Sequence, residues 1–299
     1  MTTAAPPRAR RAETEHGWWE AVAPPIAPAL APHVVSYYGF AESTAAVERR
    51  RELPIGAVVM IVGFGPRLDV RYPHLPGRDL RARSFLAGLH DTWCVVESPR
   101  SQACIQVNLT PLGAQRLLGT AMHELTNRVV ALADLLGPDA DRLEERLGTA
   151  RDWPERFAVL EQTLARRLTD AAPAAPDVAW ALERLRAEGG RTPVAALCET
   201  VGCSRRHLER RFRDHVGLSP KSYARVLRFE RATGRLGRGD GALWHDRSAV
   251  AERGRWGALA VECGYFDQAH MNRDFRALAG LSPGELTSAA APPDGAPAG

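Results

Sequence analysis

The sequence predicts an α+β chain: a β-rich N-terminal domain followed by helices, then an all-α C-terminal domain in which one small helical unit is used twice. Three observations predict this. From His33 to about Leu112, short apolar runs rich in Val, Ile, Tyr and Trp are cut by Gly and Pro. After Pro111 the apolar residues fall at helical spacing. Residues 204–220 then return, shifted by 63 positions, as residues 267–283.

Residues 1–16 and 287–299 are rich in Ala, Pro, Gly and Thr without apolar period and read as disordered tails. Residues 17–172 read as one β-rich N-terminal domain with following helices. Its strands are expected at His33–Phe40, Ala57–Phe64, Ser84–Leu89, Thr92–Glu97 and Ala103–Leu109, with turns between them. Many short strands of this kind suit a small antiparallel barrel, cupin-like, or a sandwich. Helices are expected at Gly113–Thr120, Leu125–Leu136, Ala140–Leu147 and Pro154–Leu168. In the second of these, Leu125, Val129, Leu132 and Leu136 carry the helical period. Residues 173–190 read as a stiff Pro-Ala-Ala-Pro linker and a helix ended by Gly189-Gly190.

Residues 191–286 hold the repeated unit. Pro193–Val201 reads as a first helix, Gly202-Cys203 as a tight turn, and Ser204 as N-cap of a second helix to about residue 216. On that helix Leu208, Phe212 and Val216 form an inward stripe, while Arg206, Arg210 and Arg213 share another face. Trp256–Cys263, Gly264-Tyr265-Phe266 and Asp267 repeat the plan. Met271, Phe275 and Leu278 then face in, and Ala269, Arg273 and Arg276 face out. Ser219-Pro220 opens a longer helix to about Leu236 that joins the units, and Ser282-Pro283-Gly284-Glu285 has capping-box spacing. A short helix, a glycine turn and a second helix with a basic face make a helix-turn-helix.

At Ser204…His207-Leu208-Glu209-Arg210-Arg211-Phe212, Gly217-Leu218-Ser219-Pro220, Cys263-Gly264-Tyr265, Asp267-Gln268-Ala269-His270 and Gly280-Leu281-Ser282-Pro283, the chain resembles the AraC/XylS family of bacterial transcription regulators. The resemblance implies two recognition helices, about 204–216 and 267–279, set in successive major grooves on one face of double-stranded DNA. It also implies base-reading roles for Arg206, Glu209 and Arg210 in the first helix, and for Gln268, Ala269, His270 and Arg273 in the second. Arginine suits guanine O6/N7 and glutamine suits adenine N6/N7, while Glu209 suits a cytosine amine or the orientation of a neighbouring arginine. Ser204, Arg205, Arg213, Lys221 and Arg276 are expected on the DNA backbone. Gly237–Arg255 is about a dozen residues longer than the family pattern has at this point, a loop or an added contact to DNA or to RNA polymerase. The first domain resembles poorly characterised N-terminal domains of actinobacterial-type members, through Phe64-Gly65-Pro66, Ser84-Phe85-Leu86-Ala87-Gly88 and Asn108-Leu109-Thr110-Pro111-Leu112-Gly113-Ala114. The family plan of a sensor fused to a DNA reader implies that residues 17–172 are a regulatory domain, for an effector or for dimerisation, but the likeness fixes no ligand. Tyr37, Tyr38, Phe64, Phe85 and Trp93 are the candidates to line an effector pocket, against the plainer reading of them as core.

Charge is unevenly placed. Residues 191–238 hold 12 basic and 4 acidic side chains, whereas residues 239–286 hold 5 and 7. The basic excess surrounds the first unit and suits a polyanion. No apolar run approaches the ~18–20 residues of a membrane span, no secretory h-region follows the N-terminal arginines, and five cysteines without a CxxC pair suit a reduced cytoplasm. Catalytic, metal and cofactor sites are not expected. His74 and His90 stand alone, and His123-Glu124 lacks the second histidine of a zinc-protease motif. Two alternatives remain: a ligand-independent, dimerising interaction protein, and a β-barrel enzyme fused to a DNA-binding domain.

Overall fold

The structure, a computed structural model, describes residues 8–15, 17–169, 175–236 and 256–288. In chain order the first strands are β1 (Arg8–Thr14), β2 (Gly17–Ala23), β3 (Val34–Thr44), β4 (Glu48–Glu52), β5 (Val58–Gly63) and β6 (Leu68–Arg71). Next come β7 (Leu80–Ala82), β8 (Phe85–Ala87), β9 (Cys94–Ser98) and β10 (Ser101–Leu109). After α1 (Pro111–Leu118) and one 3-10 turn at Met122–Leu125, β11 (Val129–Ala131) completes the strands, and α2 (Leu132–Leu136), α3 (Pro138–Thr149) and α4 (Trp153–Thr169) follow. The strands form two antiparallel sheets, one ordered β1-β2-β3-β10-β5-β8-β11 and the other β4-β9-β6-β7.

The large sheet lies between the helices and the small sheet, so it is covered on both faces. That explains the near-continuous apolar run Val58-Val59-Met60-Ile61-Val62 of β5. Val58, Met60 and Val62 join the core shared with the helices, while Ile61 joins a second core with Phe40, Phe85, Cys104, Leu68 and Val70 between the sheets. The same alternation divides Tyr37 from Tyr38 on β3. Tyr37 packs on Phe157 of α4 with ring centroids 5.8 Å apart, and its hydroxyl donates to Glu161 at 2.5 Å. Gly39 is required on the helix-facing side, because a Cβ there would collide with the Trp153 indole.

Several sequence expectations need correction. Residues 8–14, expected in a disordered tail, form β1, whose backbone pairs with β2 from Arg8↔Ala23 to Thr14↔Gly17 and whose Arg11 lies over the Trp18 ring. The helix expected over 125–136 is three elements: a 3-10 turn, β11 and α2. Leu125, Val129, Leu132 and Leu136 are all buried, but from different elements, and the left-handed Asn127 (φ 54) breaks any helix between them. Strands β2, β4, β6 and β7 lay outside the expected set as well. Half of the Pro173–Pro176 linker, residues 173 and 174, falls outside the described residues, as do the 237–255 insertion and all but the first two residues of the C-terminal tail; Thr287 and Ser288 finish a helix.

The C-terminal part is all helical among the described residues. It comprises α5 (Pro176–Ala187), α6 (Val194–Val201), α7 (Arg205–Val216), α8 (Pro220–Arg235), α9 (Trp256–Glu262), α10 (Gln268–Ala279) and α11 (Pro283–Ser288). The units stand where the repeat places them, with α8 between. Helix α8 grips the equivalent phenylalanine of each unit with two aromatic residues. Tyr223 packs on Phe212 with centroids 6.0 Å apart, and Phe229 meets Phe275 edge-on at 4.8 Å. All four rings are fully buried. Such aromatic pairs contribute about 0.5–1.5 kcal/mol each beyond their area burial. A continuous 16-residue helix therefore holds the two units to each other.

Candidate functional site

Each second helix is started by a side-chain cap. Ser204 accepts from the His207 N–H, and Asp267 accepts from the His270 N–H at 2.7 Å. Leu208, Phe212 and Val216 are fully buried under α7, and Met271, Phe275 and Leu278 under α10. That burial turns the polar faces outward. Ser204, Arg205, Arg206, Arg210, Arg213 and Lys221 are exposed around the first unit, and Gln268, Ala269, Arg273 and Arg276 around the second. Glu209 is half-buried and accepts from Arg205 at 2.9 Å, one turn back, so it orients that guanidinium.

His270 differs from its neighbours on α10. Its Nδ1 accepts from the Phe266 N–H (3.4 Å), its ring meets Tyr265 edge-on at 5.3 Å, and Nε2 lies 3.9 Å from Asp274. It braces the turn. Asp274 is buried between the units and sits 3.3 Å from Arg225 of α8. Desolvation raises its pKa, opposed by Arg225 and His270. One exposed residue escaped the sequence reading. Phe266, 88% exposed, stands just before α10. The signal was a turn one residue longer than the first: Gly264-Tyr265-Phe266-Asp267 against Gly202-Cys203-Ser204.

The opposite end of each second helix docks on the β-rich domain. At the first unit, Thr126 Oγ1 donates to the Gly217 carbonyl (2.8 Å) and His123 lies 3.2 Å from Asp214. Tyr223 at the start of α8 donates to the Gly56 carbonyl (2.9 Å), and the Gly56 N–H donates to Glu230 (2.9 Å). At the second unit, Arg51 donates to the Ala279 carbonyl (2.5 Å) while lying 4.0 Å over the Trp93 ring. The repeated Gly-Leu-Ser-Pro ends thus face the N-terminal domain, and the starts of α7 (Arg205, Arg206) and α10 (Gln268, Ala269) face solvent.

A cavity of about 1310 Å³ lies between the two sheets. Of the five aromatic residues expected to line a pocket, Tyr38 and Phe85 do so. The other three do not. Tyr37 points to the helix face because it neighbours Tyr38 on one strand. Phe64 packs on Trp153 with centroids 5.9 Å apart, and Trp93 packs on His74 and Arg51 outside the cavity. The cavity wall also carries groups the sequence reading had not linked: Glu42 with Arg50, Cys94 with Cys104, and His90. Burial pushes the Cys94 and Cys104 thiols up to about 12, and it pushes His90 down to about 4. His90 accepts from the Tyr72 hydroxyl and donates from Nδ1 to the Gly88 carbonyl (2.6 Å). Among the described residues no three His, Cys, Asp or Glu side chains converge as metal ligands, and no helix is long and apolar enough to cross a membrane.

Two family models match separate stretches of the chain. Residues 197–243 match a family described as a helix-turn-helix domain, and residues 22–131 match a domain of unknown function, DUF6597. No curated protein matches the chain. Among solved structures, an apo ToxT variant from Vibrio cholerae strain SCE256 is 10% identical with a TM-score of 0.47, covering 84% of this chain and 97% of that one. Wild-type ToxT of the same strain, bound to an unsaturated fatty acid, is 9% identical at a TM-score of 0.45, covering 85% and 96%. The AraC-like transcriptional activator CuxR is 15% identical at a TM-score of 0.33, covering 81% and 91%. The chain carries an AraC-type helix-turn-helix domain at its C-terminal side, behind an N-terminal DUF6597 domain.

Proposed function

We propose that the chain is a sequence-specific transcription regulator that sets α7 and α10 into successive major grooves of double-stranded DNA. Residues 191–286 act as the reader and residues 17–172 as its regulatory domain. The observation that carries this reading is the shared orientation of the two units: both second helices expose their starts and dock their ends. Arg206, Glu209 and Arg210 read the first half-site. Gln268, Ala269, His270 and Arg273 read the second, with His270 acting through the turn it braces. Phe266 adds an apolar surface suited to a thymine methyl group or a sugar. Ser204, Arg205, Arg213, Lys221 and Arg276 hold phosphates and fix the register. The cavity between the sheets is the effector site. Selection of bound duplexes from a random pool, at a fixed salt concentration, tests the reading. The expected product is a consensus of two unlike halves, since Arg206 and Glu209 stand where the second unit has Ala269 and Asn272. Recovery of no consensus would contradict it.

A further inference from the structure

The cavity is not walled by the N-terminal domain alone. Thr233 of α8 and Leu281 and Leu286 of the second unit stand in its lining. Leu281 lies two residues beyond Ala279, whose carbonyl accepts from Arg51, itself a lining residue. We propose that this cavity is a composite ligand site, completed by the second helix-turn-helix unit, and that its ligand is an uncharged, largely apolar small molecule carrying hydrogen-bonding groups. The coupling part of this proposal rests on the DNA-reading function above. The site itself does not.

The ligand class follows from the lining. Phe40, Val59, Ile61, Phe85, Leu68 and Val70 give it broad apolar walls. Three arginines and three glutamates also line it, which leaves its formal charge at zero. Each of those guanidinium groups is engaged. Arg49 pairs with Glu97 (2.8 Å), Arg50 with Glu42 (2.5 Å) and Glu48 (2.7 Å), and Arg51 with the Ala279 carbonyl. An anionic ligand at Arg49 or Arg50 would have to displace a carboxylate, which for the buried Glu42 is costly, and at Arg51 it would compete with the Ala279 carbonyl that ties the second unit to the cavity. His90 is neutral and the two thiols are protonated near neutral pH, so they add no charge. Gln102, Gln106 and Ser98 supply neutral donors and acceptors. A volume of about 1310 Å³ exceeds the ~300–1,000 Å³ usual for a small-molecule pocket. It admits a ligand of several rings or a long chain.

The docking is asymmetric. Thr126, His123, Asp214, Gly217, Gly56 and Tyr223, which tie the first unit and α8 to the β-rich domain, are all absent from the lining. The second unit is held by residues that belong to the lining or adjoin it. An occupant therefore touches the second reader and not the first. By linkage, DNA on the second half-site changes ligand affinity by the same factor as ligand changes DNA affinity.

The test uses the full chain with Nile red as an uncharged, apolar, fluorescent probe, and decan-1-ol and decanoate as competitors. Saturable binding at one site is expected, with decan-1-ol displacing the probe about tenfold more effectively than decanoate. Leu281→Asp and Arg51→Ala should each weaken the probe by about fivefold or more, while Thr126→Ala, on the first unit's dock, leaves it unchanged. Circular dichroism checks that each variant folds, and Arg51→Ala, an exposed position, keeps the test decisive if Leu281→Asp fails. Absence of saturable binding, equal Kd in wild type and Arg51→Ala, or stronger competition by decanoate would overturn the proposal. With a selected duplex, the probe Kd should shift for intact DNA and for DNA scrambled at the first half-site, but not when the second half-site is scrambled. A shift lost on scrambling the first half-site overturns the coupling. If selection yields no consensus, the DNA-reading function fails, and the probe and competitor measurements still decide the ligand site.

Discussion

Gly202 and Gly280 share φ 70, yet only one of them meets the N-terminal domain. A Cβ at Gly202 meets nothing within 4 Å, whereas a Cβ at Gly280 would lie 2.6 Å from Trp93 Nε1 and 3.1 Å from Arg51 Nη1. Replacing each by alanine therefore separates backbone strain from interdomain crowding. Left-handed backbone costs an L-residue roughly 1–2 kcal/mol. The alanine recovers about 0.4–1 kcal/mol by restricting the unfolded chain. Gly202→Ala should thus lose only about 1 kcal/mol. Gly280→Ala carries the same strain and must also push the Trp93 indole aside. That forfeits the Arg51 stacking, about 0.5–2 kcal/mol, and disturbs the Arg51 bond to Ala279, for an extra loss of about 1–3 kcal/mol. Urea unfolding followed by far-ultraviolet circular dichroism measures both. Repeating Gly280→Ala in a Trp93→Ala background closes a double-mutant cycle, in which the extra loss should vanish. Equal losses for the two glycines, or a cycle without coupling, would refute the docking of the second unit on Trp93.

Arg210→Ala and Arg273→Ala should each cost about 1–3 kcal/mol at one operator position and relax specificity there, read by fluorescence anisotropy against single-base variants of the selected site. Lys221→Ala should weaken all duplexes alike and reduce the slope of log K against log salt by about 1, which a salt titration reports. His90 should titrate near pH 4 by proton NMR rather than at 6.5. Its folded pKa is depressed, so its contribution to stability is complete above pH 6.5. That contribution falls away as pH drops toward 4, because the unfolded chain takes up the proton first.

The C-terminal part was legible because local chemistry and tertiary packing agree there. Ser204 and Asp267 cap, Gly202 and Gly280 take left-handed backbone, and the apolar stripes bury, so the expected helix bounds stand within a residue or two. In the N-terminal domain, strands such as β5 and β10 announce themselves by apolar runs. β4, with the sequence Glu-Arg-Arg-Arg-Glu, does not, because what makes it a strand is its pairing with β9 from Glu48↔Ser98 to Glu52↔Cys94. The misreading of 125–136 has the same origin. Four buried residues at helical spacing belong to three elements, and spacing alone carries no record of which element buries each. The pocket failed on parity and on contacts distant in sequence. Tyr37 and Tyr38 cannot both face one cavity, and nothing local ties Arg51 to Ala279 across 228 positions.

The central claim is that one chain reads two successive major grooves through α7 and α10. Hydroxyl-radical footprinting on a selected duplex tests it most directly. Two protected patches about 10 base pairs apart on one face of the helix are predicted. Arg210→Ala should weaken one patch and Arg273→Ala the other. A single patch, or two that fade together with either variant, would contradict the account.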